Sequence, residues 1–510
     1  KEREKMTVRV RMAPSPTGEP HIGNVRTAVF NWLFARQMGG QFVLRIEDTD
    51  RTRYQPETVE VIMDGLRWLG LDWDEGPGLE ELRNAGLGEE VAQKYAVGGP
   101  YGPYVQSERL STYKEVAEEL IQRGWAYRCN CSPERLERVR ERQRADKRMV
   151  MYDRRCRHLP PDAISPAEPH VIRLKVPLTG QTVVHDTIKG DVTFDNAGID
   201  DQILLKSDGF PTYHLAVVVD DHLMKITHVV RGDDWIPSTP KRVLIYQALE
   251  WEVPVYCHVP LVLGPDGKKL GKRHGATSIT EFRDQGYLPE ALFNFLALLG
   301  WAPGEGEEQE VFSLEELIEQ FDLFRVSRAP ASFSYKKLDW MNGVYIRQLS
   351  EQELLERLLP FWHRAGLLPD PCPEEERERL RRIVPLVQER LKRLDEVVEW
   401  TAFLFGEIEP PPAEKLVGKK MTPQESLAAL QRVRGLLAEV TPFEVDMIEP
   451  PMRALADELG LKAGQLFGLV RWAVTGQQVS PPLFGSLAAL GREQVLARLD
   501  AAIDVLAASL

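Results

Sequence analysis

Two short stretches place glycines and cations where a polyphosphate could be held. The first is Pro16-Thr17-Gly18-Glu19-Pro20-His21-Ile22-Gly23-Asn24, between an apolar run and a helical pattern. Glycine lets backbone approach a ligand closely, and a following helix offers unpaired N–H groups to phosphate. His21, at the helix start, could donate to a phosphate oxygen as charge builds on it. Alone, His-x-Gly is more often a capped strand-to-helix turn. The second stretch is Lys268-Lys269-Leu270-Gly271-Lys272-Arg273, after Gly264-Pro265-Asp266-Gly267. Clustered cations on a glycine-bearing loop suit a triphosphate, although a basic run by itself is usually a solvated turn. Together, in this order, the two signals weigh much more than either. A third group comprises Cys129, Cys131, Cys156 and His158. Three thiolates and an imidazole suit tetrahedral Zn²⁺, with ordinary free thiols as the alternative, because Cys-x-Cys is a weak pattern. Cys257 and Cys372 read as packing residues.

The elements that must position these residues follow from periodicity. Val8 to Met12 reads as a strand. Val25, Ala28, Val29, Leu33 and Phe34 then fall on one helical face, Gly39-Gly40 closes that helix, and Phe42 to Ile46 is the next strand. This βαβ unit predicts an α/β, Rossmann-like parallel sheet with its ligand at the strands' carboxyl ends. From Gln106 to Ser207 the character changes to an inserted α+β module. Parallel-sheet character returns at Tyr213 to Val219 and Ile226 to Arg231. After about Ala331 the pattern is almost entirely helical, with proline-rich joints at Pro369 to Pro373, Pro410 to Pro412 and Pro450-Pro451. The expected division is 6–105 and 208–250 for the two halves of the catalytic fold, 106–207 for the insertion, 251–345 for a stem-contact region carrying the basic loop, and 346–510 for an all-α region that can split near 410.

The 510 residues suffice for three or four domains, and a formal charge of −13 argues against a protein that coats nucleic acid by bulk attraction. The charge is unevenly spread, however. Asp72 to Glu90 carries −6 and Pro303 to Asp322 carries −8, whereas Arg128 to His158 carries +6 and Arg377 to Arg393 carries +5. Such local basic tracks predict salt-sensitive binding to a nucleic acid of matching shape. Mean hydropathy is −0.30, no apolar run reaches a membrane span, Lys1 to Val10 lacks a signal-peptide core, and five cysteines make no disulfide framework. A cytoplasmic protein, monomeric and with no membrane partner, is expected.

The paired signatures resemble the His-Ile-Gly-His and Lys-Met-Ser-Lys-Ser motifs of class I aminoacyl-tRNA synthetases. The stretches Arg11 to Asn24, Arg45 to Asp50, Gly102 to Tyr104 with Gln106 to Arg109, Ser207 to Ala216, Lys268 to Gly275, Trp340 to Asn342 and Leu469 to Gly476 resemble bacterial glutamyl-tRNA synthetases over nearly the whole chain. The resemblance implies ATP-dependent formation of glutamyl-adenylate with release of pyrophosphate, then transfer to the 3′-terminal adenosine of tRNA(Glu), with tRNA bound before activation. It places Arg11, Tyr213 and Arg231 around the glutamate side chain. Glu47, with Ala13 and Ser15, then serves the ammonium. His21, Lys269 and Lys272 are the implied catalytic residues, and ATP with Mg²⁺ is expected along Gly23, Asn24, Asp234, Trp235, Val262, Leu270, Gly271 and Arg273. Arginines facing glutamine's neutral amide would be left poorly paired, at a cost of roughly 2–5 kcal/mol, so no editing domain is expected. Some members of the family hold zinc in the inserted domain with Cys129, Cys131, Cys156 and His158 as the matching ligands. The C-terminal helices would read the anticodon, with Arg390 sensing its third base.

Three departures are plain. Asn24 replaces the second histidine of the first motif. Gly271 replaces a serine of the second, removing a phosphate donor. The stretch Gly78 to Gly98 is an added surface segment. Rival readings are a non-discriminating enzyme that also charges tRNA(Gln) and a silent tRNA-binding paralogue. Decay of His21, Glu47, Arg231 or Lys272 would mark the latter, and all four are present. A short relative without an anticodon region, or a nucleotidyltransferase of small metabolites, would not need the helical third.

Overall fold

In the computed structural model, which describes residues 7–160, 162–304 and 308–510, strand β1 (Arg9–Met12) and β2 (Gln41–Leu44) pair in parallel around the helix Ile22–Gln37. Gly39, at φ +61°, turns the chain out of this helix. A Cβ on Gly40 would lie 2.3 Å from the Val8 carbonyl oxygen, so the helix can return against β1 only on glycine. The helix is buried on nearly every side, including Arg26 and Asn31, as expected for a crossover helix under further layers.

Seven strands in two sheets follow in the central region. β3 (Ala126–Cys129), β4 (Val171–Leu174) and β7 (Ile203–Leu205) form an antiparallel sheet of their own. The hairpin β5 (Gln181–Asp186) and β6 (Gly190–Asp195) instead joins β8 (His228–Gly232) and β9 (Val255–Val259) in the order β6-β5-β9-β8. β5 and β8 both run parallel to β9. The Thr227 amide donates to the Arg9 carbonyl at 2.9 Å, which sets β8 beside β1. β10 (Val262–Leu263) pairs in parallel with β11 (Ala331–Ser332).

Two expectations from periodicity are corrected. Tyr213 to Leu223 is a helix, not a strand. Its Leu215 to Val219 run is buried throughout, and an apolar run of that length does not distinguish a buried helix from a buried strand. Pro450 and Pro451 lie inside the helix Val445–Glu458 rather than at a joint. That helix forgoes two backbone donors but keeps Ile448, Met452 and Leu455 in the core.

Packing divides the chain into two units, Lys1–Phe282 with Leu292–Tyr335, and Arg283–Ala291 with Lys336–Leu510. The second unit is helical. Helices Glu351–Arg364, Glu374–Gln388, Pro423–Glu439, Val445–Glu458, Ala463–Thr475, Leu483–Leu490 and Arg492–Ala508 share one apolar cluster that continues across residue 410. Trp362 anchors it and donates to Thr401 Oγ1 at 2.8 Å. No helix among the described residues is long and apolar enough to cross a membrane.

Candidate active site

A cavity of about 790 Å³ opens at the carboxyl ends of β1 and β8. Arg11, Ala13, Ser15, Glu47, Tyr213 and Arg231, assigned to glutamate by resemblance, all line it. So do Asn24 and Trp235 from the ATP group. These residues come from five separate chain segments, which only the sheet and the helix Tyr213–Leu223 bring together.

Beneath the cavity lies a buried charge lattice. Arg11 Nε donates to Asp221 Oδ1 at 3.2 Å, and Arg45 Nη1 reaches the same oxygen at 2.8 Å. Arg45 Nη2 donates to Glu47 Oε1 at 2.8 Å. Asp220 accepts from Arg109 Nε at 2.7 Å, Gln106 Nε2 at 2.8 Å and Tyr113 Oη at 2.8 Å. Three guanidinium groups thus face three carboxylates, all buried, and the lattice is close to neutral. Burial pushes the Glu47 carboxyl up, with Arg45 and Arg11 pulling it back. Burial would raise Asp221 too, but Arg11 and Arg45 outweigh it and hold that carboxyl below the ordinary range. Burial, together with the charge of Glu47, lifts the Tyr213 phenol to about 12, so it is a donor at neutral pH.

Arg231 is held from behind. Its Nε donates to His258 Nε2 at 3.0 Å and its Nη2 to Thr239 Oγ1 at 2.7 Å. An arginine only donates, so His258 Nε2 is the acceptor and its proton sits on Nδ1, 2.6 Å from Asp186 Oδ2. Nη1 of Arg231 has no hydrogen-bond partner among the described residues. A guanidinium with one committed edge and one buried, unpaired nitrogen suits an incoming carboxylate.

His21 caps the helix Ile22–Gln37, its Nδ1 accepting from the Gly23 amide at 3.1 Å. Burial, then the charge of Lys269, lowers its pKa. The imidazole is therefore neutral near pH 7 with its proton on Nε2, where the backbone of Leu270 in the basic loop is its hydrogen-bond partner. The basic loop docks on the same helix start: the Ile22 amide donates to the Thr277 carbonyl at 2.7 Å, and His21 bridges to Ser278. Leu270 returns its amide to the Val262 carbonyl at 3.0 Å, and Lys269 pairs with Asp234 at 3.2 Å. Val262 and Leu270 are buried beneath the loop, whereas Lys272 and Arg273 are exposed. His274 stiffens the turn by accepting from the Gly271 amide at 3.1 Å and pairing with Asp266 at 3.0 Å.

Gly271 itself is extended, at φ −165°, and a Cβ there would meet nothing within 4 Å. A serine fits without strain. Gly271→Ser is therefore expected to fold normally and to lower KM for ATP by roughly 3- to 10-fold, the worth of one added phosphate hydrogen bond. Steady-state pyrophosphate exchange across ATP concentrations checks this.

At the cysteine group, the sulfurs of Cys129, Cys131 and Cys156 all lie within 4.8 Å of one another. His158 is exposed, and the structure does not bring it to the three sulfurs as the resemblance implied. Instead Tyr152 Oη lies 3.3 Å from Cys129 Sγ and 3.5 Å from Cys131 Sγ. The chain turns at Arg154, φ +57°, so that Tyr152 and Cys156 face inward and His158 falls beyond the turn.

In the helical unit, Arg390 lies past the end of the helix Glu374–Gln388 rather than on a helix face, with its Cζ 5.4 Å from the ring of Trp400. The two border a cavity of about 650 Å³ with Lys392, Arg393 and Gln477. Trp400 and Gln477 carried no signal in the sequence that marked them for this place. Nor did His258 or Arg242. Asp220-Asp221 did carry one, as adjacent acids closing an apolar run.

The family model for the catalytic domain of class I tRNA synthetases for glutamate and glutamine matches residues 7–340, and an anticodon-binding domain model matches 353–503. The glutamate–tRNA ligase of Dehalococcoides mccartyi is 51% identical over 497 residues, covering 97% of this chain and 98% of its own. That of Moorella thermoacetica is 47% identical over 499 residues, covering 97% and 98%. A solved glutamate–tRNA ligase from Elizabethkingia meningosepticum, 34% identical, superposes with a TM-score of 0.82 over 98% of this chain and 100% of that one. With its α/β catalytic fold, its helical anticodon-binding region and relatives at this identity, the chain belongs to the glutamate–tRNA ligases of the class I aminoacyl-tRNA synthetases.

Proposed function

We propose that this chain ligates L-glutamate to tRNA(Glu) in two steps and discriminates against tRNA(Gln). The observation that carries the reading is one cavity in which Arg11, Glu47, Tyr213 and Arg231 converge beside Asn24 and Trp235, with the His21 start of the same helix docked on the basic loop. The unpaired Nη1 of Arg231, with Arg11 and the Tyr213 hydroxyl, takes the side-chain carboxylate, and Glu47 takes the ammonium with the Ala13 and Ser15 backbone. The α-carboxylate oxygen then attacks the α-phosphorus of ATP, and pyrophosphate leaves. His21 Nε2–H donates to a phosphate oxygen as its charge grows, while Lys269 exchanges Asp234 for the triphosphate and Lys272 supplies a second cation. Gly23 lies at the helix N-terminus with its amide held by His21, Asp234 and Trp235 flank the adenosine end, and Gly271 and Arg273 border the phosphates. Mg²⁺ bound with ATP neutralises part of the triphosphate charge. The 3′-terminal ribose hydroxyl of tRNA next attacks the anhydride carbonyl and AMP leaves. No enzyme nucleophile is required, so orientation and charge supply the catalysis.

In the helical unit Arg390 and Trp400 present a guanidinium and a ring face of the kind that stacks and reads an unstacked base. ATP–pyrophosphate exchange with glutamate, with and without tRNA(Glu), tests the synthetase reading: folded protein inactive under both conditions overturns it. Equal charging of tRNA(Gln) and tRNA(Glu) overturns discrimination. The enzyme is taken to act as a cytoplasmic monomer.

Zn²⁺ fits the inserted domain, where Cys129, Cys131 and Cys156 would hold it with the Tyr152 phenol oxygen nearest the fourth position; there the ion would tie the 151–156 segment to β3 and take no part in the reaction. Protein purified without chelator is expected to carry about one zinc per chain. Cys131→Ser should lose it and His158→Ala should not, by metal analysis.

A further inference from the structure

Arg242, on the helix Thr239–Ala248, is 1% exposed, yet its Nε, Nη1 and Nη2 have no hydrogen-bond partner among the described residues. Its Cζ lies 5.0 Å from the ring of Tyr213 and 5.2 Å from that of Trp235, two residues of the cavity wall. Arg231 is held by the neutral partners His258 and Thr239. Arg11, Arg45 and Arg109 are answered by Asp221, Glu47 and Asp220. Arg242 thus adds a buried charge with no ion pair among the described residues, against the Tyr213 and Trp235 rings that line the amino-acid pocket. Its influence on its surroundings is visible at His214, which burial and then Arg242 and Lys241 depress to about 3.

An unpartnered buried guanidinium costs folding free energy, since its donors lose water and gain no acceptor. A carboxylate arriving on the far side of Tyr213 and Trp235 would recover part of that cost through the low-dielectric wall; a neutral amide would not. We infer that Arg242 is a specificity-determining residue, whose unpaired charge behind Tyr213 and Trp235 selects glutamate over glutamine. It acts through the field and through the two rings, without touching the substrate, so it is a positioning and not a catalytic group. The inference rests on the glutamate-pocket reading given above.

Arg242→Met removes the charge while keeping bulk, and Arg242→Lys keeps the charge. In tRNA(Glu) aminoacylation, Arg242→Met is expected to raise KM for glutamate about tenfold and to reduce the glutamate-to-glutamine ratio of kcat/KM by a similar factor. Its kcat and its KM for tRNA should stay within about twofold. Arg242→Lys should stay closer to the parent in all of these. Thermal stability discriminates further: Arg242→Met should melt no lower than the parent, because no hydrogen bond is lost and the Met side chain still packs on the two rings. An unchanged KM for glutamate in Arg242→Met, equal impairment by Lys and Met, or a lowered melting temperature with every constant changed together would overturn the inference. Arg231→Gln serves as the control. If it leaves KM for glutamate unaltered, the pocket reading itself falls; if it raises that KM while Arg242→Met does not, only the role of Arg242 falls.

Discussion

Replacing Asp221 by asparagine is expected to destabilise the catalytic unit by about 3–5 kcal/mol and to abolish glutamate activation at ordinary temperatures. Asp221 Oδ1 accepts from both Arg11 and Arg45, in a place where all three side chains are at most 5% exposed. The substitution leaves two guanidiniums facing a neutral amide with no water to replace the lost charge. The damage extends to function because Arg45 also holds Glu47, and Arg11 lines the amino-acid cavity. The effect has a defined pH dependence. The folded-state pKa of Asp221 lies below its unfolded value, so the stabilisation is fully present above about pH 4 and is lost as pH falls through the folded value. Urea melts of parent and variant should therefore differ most near neutrality and converge in acid. A difference that persists unchanged to pH 2 would show that the carboxylate charge is not the cause.

His21→Ala is expected to lower kcat for pyrophosphate exchange by about 10²–10³-fold, the usual loss when one oriented donor to a developing oxyanion is removed. KM for ATP should change little, because the contact strengthens only as charge moves onto the phosphate. Part of the loss has another origin: the imidazole also caps the helix through the Gly23 amide, worth about 1 kcal/mol of stability. His21→Asn separates the two, since an asparagine carbonyl caps well. That variant should keep the parent melting temperature while remaining strongly impaired in kcat. Protonation of Nδ1 would break the cap and free the tautomer, so the parent's activity should fall as pH drops through the His21 pKa, which lies below the ordinary histidine range. Full activity in His21→Asn would remove the imidazole from the mechanism.

Much of the architecture is legible in local pattern. The βαβ opening, from Val10 through the helix ended by Gly39 to Val43, is written in the switch between helical and strand periods. The helical last third is written in its 3.6-residue spacing. His21 and Lys269 announce themselves because a phosphate site needs a helix start and a cationic loop, both of which are short. Where two structures share one local pattern, the sequence does not choose: Leu215 to Val219 reads as a strand and is a helix, because burial on all sides suits either.

What the tertiary structure alone decides is pairing. Arg11 and Asp221 stand 210 positions apart, and no spacing rule links them. The same holds for Arg231 with His258, whose contact fixes a tautomer, and for Arg242, whose lack of a hydrogen-bond partner among the described residues can be seen only when its neighbours are in place. At the cysteines, sequence proximity pointed to His158, but one left-handed residue at Arg154 points the chain so that Tyr152 faces the sulfurs. Residue type and local period determine which elements form and which chemistry is on offer. Which charge meets which depends on Coulomb interactions in a dry interior, where a few ångströms decide the energy, and those distances are set by the packing of segments remote in sequence.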